Sequence, residues 1–169
     1  MQCPCGSNIS FQQCCCLLIN QETCAQSPEQ LMRSRYSAYA TEAADYIYQT
    51  YAQASRALQS IADISAWAKE TKWLKLTINA ASDYTELDDQ NAVNADNEEQ
   101  HLPTVCFSAY YQHQGEYFLM KETSRFVVEK GQWRYLDGEV SNNEALIAPK
   151  RNQACFCDSN KKFKQCCGR

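Results

Sequence analysis

The chain has 169 residues, which is long enough for one full domain with small appendages and short for two domains with separate cores. Its hydrophobic fraction of 44%, charged fraction of 21% and net charge of -4 are typical of a globular protein. The longest apolar run, Cys14 to Ile19, is far below the roughly 20 residues that span a bilayer, and no basic, apolar leader precedes the first cysteines, so we expect a cytoplasmic protein without a membrane span.

Cysteine is the residue type that stands out. The chain has 11 cysteines, and nine of them lie in two short segments, 3–16 near the start and 155–167 near the end. A disulfide scaffold spreads its cysteines through a small secreted core. Clustering in pairs, in a chain without an export signal, favours metal ligation instead.

The two segments repeat one pattern, Cys-x-Cys followed by eight residues and Cys-Cys. The predicted ligands are Cys3, Cys5, Cys14 and Cys15 in the first segment, and Cys155, Cys157, Cys166 and Cys167 in the second. Four thiolates satisfy tetrahedral Zn²⁺ at about 2.3 Å each, and metal binding supplies the folding free energy of a fragment with almost no core. We therefore predict two zinc sites. Iron is the alternative metal, a disulfide or unligated thiols are the interpretation without metal, and Cys16 leaves a shifted ligand set open at the first site.

Three helices are predicted after the first cysteine segment. Ser27 as N-cap, Pro28 at the first position and Gln30 two residues later mark the start of one helix. Thr41 is predicted to cap a second helix, whose apolar stripe contains Tyr46, Ile47 and Tyr51. A third helix is predicted from Asp63 through Lys72, with Trp67 facing inward.

After Trp73 the hydrophobic period changes from helical to alternating. Leu74, Leu76 and Ile78 alternate with polar residues, as in a half-buried strand, and the same pattern recurs in segments 104–112, 116–128 and 132–137. The sequence Glu129 to Gln132 supplies a tight turn between the last two. Three helices followed by about four antiparallel strands predict an α+β fold in which a curved sheet wraps around the helices.

The segment between the first two strands is strongly acidic. Asp83 to Glu99 holds seven acidic residues and no basic residue, which predicts a solvated loop, with docking on a basic surface as the alternative. The two histidines, His101 and His113, are predicted at the surface. We predict no catalytic residue.

A pocket inside such a fold requires polar residues on the inner faces of its elements. Arg33 and Arg35 are two positions apart on the first helix, so at most one points fully inward. The leading interpretation is a structural ion-pair network in which an aspartate partners a buried arginine, and the alternative is an anion-binding, ligand-binding or enzymatic pocket. The candidate pocket residues are Arg33, Arg35, Tyr36, Asp45, Arg125, Tyr135 and Asp137. The sequence does not identify a particular small ligand.

The two cysteine segments differ in charge. Residues Met1 to Ile19 include no charged side chain, whereas Lys150 to Arg169 include six basic residues and one acidic residue, a sum of +5. Four thiolates and one Zn²⁺ lower that sum to about +3. A basic surface attracts acidic proteins or the RNA backbone without sequence-specific reading of nucleic acid. We predict that Lys161, Lys162 and Lys164 contact a partner.

The second cysteine segment, with its Lys-Lys-Phe-Lys loop, resembles the SEC-C motif, the zinc-binding tail of the SecA translocation ATPase. That resemblance implies contact with the SecB chaperone and with ribosomes. Two such units around the segments Leu-Met-Arg-Ser-Arg-Tyr (31–36), Ser-Arg-Phe (124–126) and Trp-Arg-Tyr-Leu-Asp-Gly (133–138) are similar to the bacterial YchJ family over essentially the whole chain. The family resemblance implies a cone-shaped middle domain of the nuclear-transport-factor-2-like, cystatin-related type, and no established activity.

The resemblance divides the chain into an N-terminal knuckle (residues 1–24), a middle domain (25–148) and a C-terminal knuckle (149–169). In the C-terminal knuckle Phe156, Asp158 and Asn160 replace the Pro, Gly and Gly that are common in the family. We therefore predict a non-enzymatic, zinc-binding adaptor that docks through its C-terminal knuckle on translation or protein-export components. The alternatives are a ligand-binding or enzymatic middle domain clamped by the knuckles, and knuckles that sense redox state or store metal.

Overall fold

The computed structural model describes residues 1–82, 102–157 and 159–169 of the chain. The acidic segment predicted to be a loop, together with His101 and Asp158, lies outside the described residues.

Five α-helices precede the sheet: α1 (Cys15–Ile19), α2 (Pro28–Ala40), α3 (Ala44–Gln49), α4 (Gln53–Arg56) and α5 (Ile61–Glu70). The start of α2 is confirmed, because the Ser27 side chain accepts the Gln30 N–H at 3.1 Å and Pro28 occupies the first position. None of the described helices is long and apolar enough to cross a membrane.

The prediction that Thr41 caps the second helix is wrong. Thr41 ends α2 instead, and its hydroxyl donates to the Ser37 carbonyl one turn back, at 2.8 Å. The next helix, α3, begins after Ala43 without a side-chain cap. A threonine hydroxyl serves either end of a helix, so the residue type alone did not fix the boundary.

Trp67 faces inward only in part, because its ring packs on the buried Tyr111 with centroids 5.9 Å apart while 38% of the residue is exposed. Its helix, α5, begins two residues earlier than predicted, where Ser60 accepts the Asp63 N–H at 3.3 Å. The Trp67 ring packs on His113, with ring centroids 4.7 Å apart. Both rings therefore lie at the rim of the core, and His113 is half-buried rather than solvated.

Four antiparallel strands follow in the order of the chain: β1 (Thr71–Ala81), β2 (Thr104–His113), β3 (Glu116–Glu129) and β4 (Gln132–Leu146). Two-residue turns join the last three strands, and each has two consecutive residues with positive φ: Gln114 (49°) with Gly115 (86°), and Lys130 (52°) with Gly131 (69°). Such turns match the twist of antiparallel strands. The predicted order of helices and strands is confirmed, with α1 and α4 in addition.

The alternating pattern of apolar and polar residues did not predict two features of the strands. Strand β4 continues nine residues beyond its predicted end at 137, because it stays paired with β3 as far as Leu146 opposite Tyr117. In β1, a register shift between Trp73 and Lys75 breaks the alternation. Trp73 and Leu76 therefore pack in the main core, and Leu74 turns to the opposite face of the sheet.

The main core lies between the helices and the inner face of the sheet. Its largest fully buried side chains include Tyr36 and Leu31 of α2, Ile47 of α3, and Phe126 of β3. The Tyr36 ring meets the Trp73 ring edge to face, with centroids 5.4 Å apart. The outer face of the sheet is left for another element to cover.

Candidate metal centres

The sequence repeat is a structural repeat. Each knuckle has an isolated antiparallel bridge, Gln2 with Ser10 and Ala154 with Lys162. Each bridge is followed by one 3₁₀ turn, Phe11–Gln13 in one knuckle and Phe163–Gln165 in the other. Equivalent residues in the two knuckles are therefore offset by 152 positions, and the shared residues serve the same local fold.

The four predicted ligands of the N-terminal knuckle converge. The Sγ atoms of Cys3, Cys5, Cys14 and Cys15 all lie within 4.8 Å of one another. The Cys14 sulfur is 3.8 Å from the sulfurs of both Cys5 and Cys15. Four ligands at about 2.3 Å from one metal ion are about 3.8 Å apart in a tetrahedron, whereas a disulfide requires about 2.05 Å. This donor set therefore fits a tetrahedral metal site.

The C-terminal knuckle repeats the arrangement. The Sγ atoms of Cys155, Cys157, Cys166 and Cys167 also lie within 4.8 Å of one another. The Cys157 sulfur is 3.4 Å from that of Cys155 and 3.5 Å from that of Cys166, and the Cys166 and Cys167 sulfurs are 3.9 Å apart. The two tetra-cysteine groups can each hold one metal ion.

A serine and an asparagine that the two knuckles share support the sulfurs and the loop. The Ser7 hydroxyl lies 3.3 Å from the Cys14 sulfur, and the Ser159 hydroxyl donates to the Cys166 sulfur at 3.2 Å. Asn8 (φ 61°) and Asn160 (φ 56°) adopt the left-handed conformation. Asparagine tolerates this region better than most residues, which explains how it stands at position 160 where the family commonly has glycine.

One thiol in each cluster ionises more easily than an ordinary cysteine. A hydrogen bond from Cys15 lowers the pKa of Cys5 to about 4, although burial opposes the shift. Burial also opposes ionisation of Cys155, but hydrogen bonds from the backbone N–H groups of Cys157 and Cys167 lower its pKa to about 7. Each cluster thus stabilises one thiolate, the form of cysteine that binds metal, whereas burial and hydrogen bonds with neighbouring thiols raise the pKa of Cys14, Cys15, Cys157 and Cys167.

An aromatic ring fills each knuckle. Phe11 packs with Cys3, Cys5 and Cys15, and Phe163 packs with the second cluster. Space around the second ring is tight, because a Cβ added at Gly168 would lie 2.7 Å from two carbon atoms of the Phe163 ring.

The N-terminal knuckle is fixed to the helices. The Arg33 guanidinium of α2 donates to the Cys5 carbonyl at 2.8 Å and to Glu29 at 2.7 Å. The Ser37 hydroxyl, one turn further along α2, lies 3.5 Å from the Cys3 sulfur. This knuckle also approaches the edge strand β1, since a Cβ at Gly6 would lie 3.6 Å from the Leu76 carbonyl oxygen.

The C-terminal knuckle covers the outer face of the sheet. Phe156 stacks on Tyr110 of β2 with centroids 5.8 Å apart and meets Tyr117 of β3 at 5.4 Å. Lys75 of β1 donates to the Cys157 carbonyl, and Leu74 packs beside the cysteines. The phenylalanine that replaces the usual proline is therefore the principal aromatic contact between this knuckle and the sheet.

The three lysines predicted to contact a partner are on the outer side of this knuckle. Lys161, Lys162 and Lys164 are exposed, and none of them forms an ion pair with any residue in the described ranges. These three lysines therefore place exposed positive charge on one knuckle.

The structure brings three of the seven candidate pocket residues together and separates the other four. Arg35, Tyr36 and Tyr135 line one cavity. The prediction is wrong for the other four residues. Arg33 donates a hydrogen bond to the N-terminal knuckle, and Asp45 is exposed in the first turn of α3. Arg125 forms an ion pair with Asp137 at 2.5 Å, and both side chains are about half exposed. The cavity is lined instead by residues that the sequence did not single out, including Tyr39, Met120 and Glu122. Their only signal was alternation along the strands and spacing along α2.

The remaining cysteines lie apart from the two clusters. Cys16 accepts a hydrogen bond from Asn20 at 3.5 Å and does not join the four sulfurs beside it. Cys24 is exposed and Cys106 is half-buried. The shifted ligand set is therefore not the arrangement in the structure.

Comparison with known proteins agrees with the fold of the middle domain and with the cysteine motif of the C-terminal knuckle. The family model described as the YchJ middle NTF2-like domain matches residues 27–138, and the SEC-C motif matches residues 151–169. A UPF0225 protein of Vibrio parahaemolyticus is 37% identical over 177 residues, covering 98% of each chain. A UPF0225 protein of a Shewanella species is 37% identical over 169 residues, covering 98% of this chain and 94% of the relative.

Two solved structures are similar to this one. The solution structure of a SEC-C motif-containing protein from Rhodopseudomonas palustris has a TM-score of 0.68 and 32% identity, and covers 84% of this chain and 100% of its own. The crystal structure of a SEC-C motif-containing protein from Psychrobacter arcticus has a TM-score of 0.62 and 31% identity, and covers 98% of this chain and 94% of its own.

Proposed function

The chain belongs to the YchJ (UPF0225) family, and from that membership and the geometry of its knuckles we propose that it is a zinc-binding, non-enzymatic cytoplasmic adaptor. In this proposal both cysteine clusters hold Zn²⁺, which cross-links four thiolates in each knuckle and keeps the knuckle folded. The C-terminal knuckle docks on a component of translation or protein export. The SEC-C motif makes the ribosome and SecB the first partners to test.

One observation carries the choice of docking surface. The two knuckles share a fold but differ in charge, and the exposed lysines, which form no ion pair within the described part of the chain, are on the C-terminal knuckle. The N-terminal knuckle instead directs the Cys5 carbonyl and the Cys3 sulfur toward α2. We infer that the N-terminal copy is a structural clamp and that the C-terminal copy is the contact surface.

Zinc is supported by the donor set. Four thiolates with tetrahedral spacing, and hydroxyl groups bonded to one sulfur of each set, suit a structural Zn²⁺ site in which no position is left open for a substrate. Elemental analysis of protein purified without added metal tests this part. We expect two equivalents of zinc per chain; iron, or disulfides without metal, would contradict it.

The docking surface is tested by charge removal. The variant Lys161→Gln, Lys162→Gln, Lys164→Gln should lose co-sedimentation with ribosomes or binding to purified SecB, and binding of the unaltered protein should weaken with salt. A matched control is Lys69→Gln, Lys121→Gln, Lys130→Gln, which removes three exposed lysines from the middle domain and should bind normally. Equal losses in the two variants would show that net charge, not this surface, governs binding.

The role of the metal is tested separately. Cys166→Ser with Cys167→Ser removes two ligands of the C-terminal cluster, and we expect loss of one zinc equivalent together with loss of partner binding. Retained binding with one equivalent lost would separate the zinc site from the docking function.

A further inference from the structure

Arg35 is a buried cation without a carboxylate partner among the described residues. Only 3% of Arg35 is exposed, and no carboxylate of the described residues lies within 4.0 Å of its guanidinium. The other two arginines of the predicted set each have such a partner, Glu29 for Arg33 and Asp137 for Arg125. A buried charge is costly unless its surroundings compensate it, so the environment of Arg35 requires explanation.

The protein satisfies only part of this guanidinium. Its Nη1 donates to the Ile47 carbonyl at 2.8 Å and to the Thr50 hydroxyl at 2.7 Å. The rings of Tyr51 and Tyr135 lie on it, with centroids 4.3 and 4.5 Å from Cζ. The Nε and Nη2 groups have no acceptor among residues 1–82, 102–157 and 159–169. Arginine offers five N–H donors, so three remain for a ligand.

The surrounding phenols do not neutralise the charge. Burial raises the pKa of Tyr36, Tyr39 and Tyr135 above the ordinary value for tyrosine. These side chains stay protonated, so they present neutral rings and hydroxyl groups to Arg35 and not a counter-charge.

A cavity of about 200 Å³ lies beside this guanidinium. Most of its wall is flat and apolar, formed by aromatic side chains and by Met32 and Met120. Trp67, at 38% exposure, stands at the wall that reaches the surface. A closed apolar cavity of about 150 Å³ can take up benzene, so this volume suits one ring with a small substituent.

One charged group on the wall constrains the ligand. Glu122 faces the cavity, and its Oε1 accepts from the Ser124 hydroxyl at 2.7 Å and the Tyr135 hydroxyl at 3.0 Å. The Glu122 carboxylate weakens the attraction of Arg35 for any anion, and it disfavours a ligand with two negative charges more strongly than a ligand with one.

We propose that this cavity binds a small monocarboxylate with a flat apolar body, whose carboxylate accepts from the Nε and Nη2 groups of Arg35 and whose ring packs among the aromatic side chains. Arginine binds carboxylates through two parallel N–H donors, which are the groups left free here. Inorganic phosphate fits poorly, because it carries more charge and no apolar surface for these walls. The inference is independent of the adaptor role, since the cavity lies on the opposite face of the sheet from the C-terminal knuckle.

Benzoate is the probe, and benzamide is its neutral counterpart of the same shape. Calorimetric titration of the full, metal-loaded chain should show saturable binding of benzoate and no comparable binding of benzamide or inorganic phosphate. Arg35→Gln should weaken benzoate binding by about tenfold or more, as expected for loss of a charged hydrogen-bond pair. Arg125→Gln, which removes an arginine outside the cavity, should leave the affinity unchanged.

Two more variants keep the test decisive if Arg35→Gln fails to fold. Glu122→Gln removes the repelling charge and should tighten benzoate binding, and Met120→Trp fills the cavity and should abolish it. Metal content and melting temperature report whether each variant is folded. Absence of benzoate binding, equal binding of benzoate and benzamide, or unchanged affinity in Met120→Trp would each overturn the proposal.

Discussion

The anchoring of the C-terminal knuckle by Phe156 can be tested through the metal that we propose this knuckle binds. In Phe156→Ala the ring contacts with Tyr110, Tyr117 and Phe163 are lost, whose centroid distances are 5.8, 5.4 and 5.8 Å. Phe156→Pro places at this position the residue found at the equivalent Pro4, so it removes the same contacts while keeping a residue that the knuckle fold accepts.

The magnitude follows from burial and ring geometry. Fully burying a phenylalanine contributes about 1.5–3 kcal/mol, so the half-buried Phe156 accounts for about 1 kcal/mol. The ring contacts with Tyr110 and Tyr117 join the knuckle to the sheet and add roughly 0.5 kcal/mol or more each, which brings the expected loss of docking free energy to about 2 kcal/mol. Because docking stabilises the folded, metal-bound knuckle, metal affinity at this site should fall by the same free energy, roughly 30-fold.

The assay is competition with a metal chelator of known affinity. Both variants should release one metal equivalent at a lower chelator concentration than the unaltered protein, and the second equivalent, held by the N-terminal knuckle, should be released as before. Ile147→Ala changes a residue that is 95% exposed and should release both equivalents normally. If Phe156→Ala and Phe156→Pro retain both equivalents as tightly as the unaltered chain, the ring contacts do not anchor the knuckle.

Three further predictions concern local geometry. Gly168→Ala places a Cβ 2.7 Å from two Phe163 ring carbons and should weaken metal retention at the C-terminal site, whereas Cys16→Ala at the equivalent position of the N-terminal knuckle should leave its metal in place in the same chelator assay. Asn8→Ala and Asn160→Ala place alanine at positive φ and should each destabilise their knuckle by about 1–2 kcal/mol, while glycine at either position should not; thermal melts of the metal-loaded protein measure this. Arg33→Met loses bonds to both Glu29 and the Cys5 carbonyl and should cost about 1–2 kcal/mol in urea unfolding, more than Arg125→Met, whose exposed ion pair contributes below about 1 kcal/mol; the reverse order would contradict the clamp on α2.

The features that the sequence predicted correctly are those set by neighbouring residues. The Cys-x-Cys and Cys-Cys pairs lie within one short loop, so their spacing alone brings the four sulfurs of each cluster together. Ser27 and Pro28 act within the first turn of α2, and the turn between β3 and β4 needs only Lys130 and Gly131. In each case the residues that decide the structure are a few positions apart.

The features that it did not predict depend on residues far apart in the chain. Strand β4 continues because β3 lies beside it, although its own sequence after Asp137 is polar. Leu74 turns outward because of a bulge in β1, and it then meets cysteines about 80 positions later.

The arginines illustrate the same limit. Arg33 and Arg35 are alike in sequence context, and only the packing of α2 against α3 and the N-terminal knuckle places one in the core and the other at the clamp. Arg125 alternates with Phe126 and Ser124 on a strand, and Asp137 opposite it holds the pair on the exposed side. The sequence therefore predicted that at most one of Arg33 and Arg35 points fully inward, but it did not predict which one.

The position of the two knuckles beside β1 has a consequence for aggregation. Strand β1 is at one end of the sheet, so its outer backbone groups are not paired within the sheet. Gly6 lies against the Leu76 carbonyl at that edge, and the side chain of Lys75 is held by the Cys157 carbonyl next to it. An uncovered edge strand is a template for pairing with another chain. If the proposed metal ions are lost and the knuckles unfold, this edge loses the cover of the N-terminal knuckle, and we expect strand addition and self-association to increase.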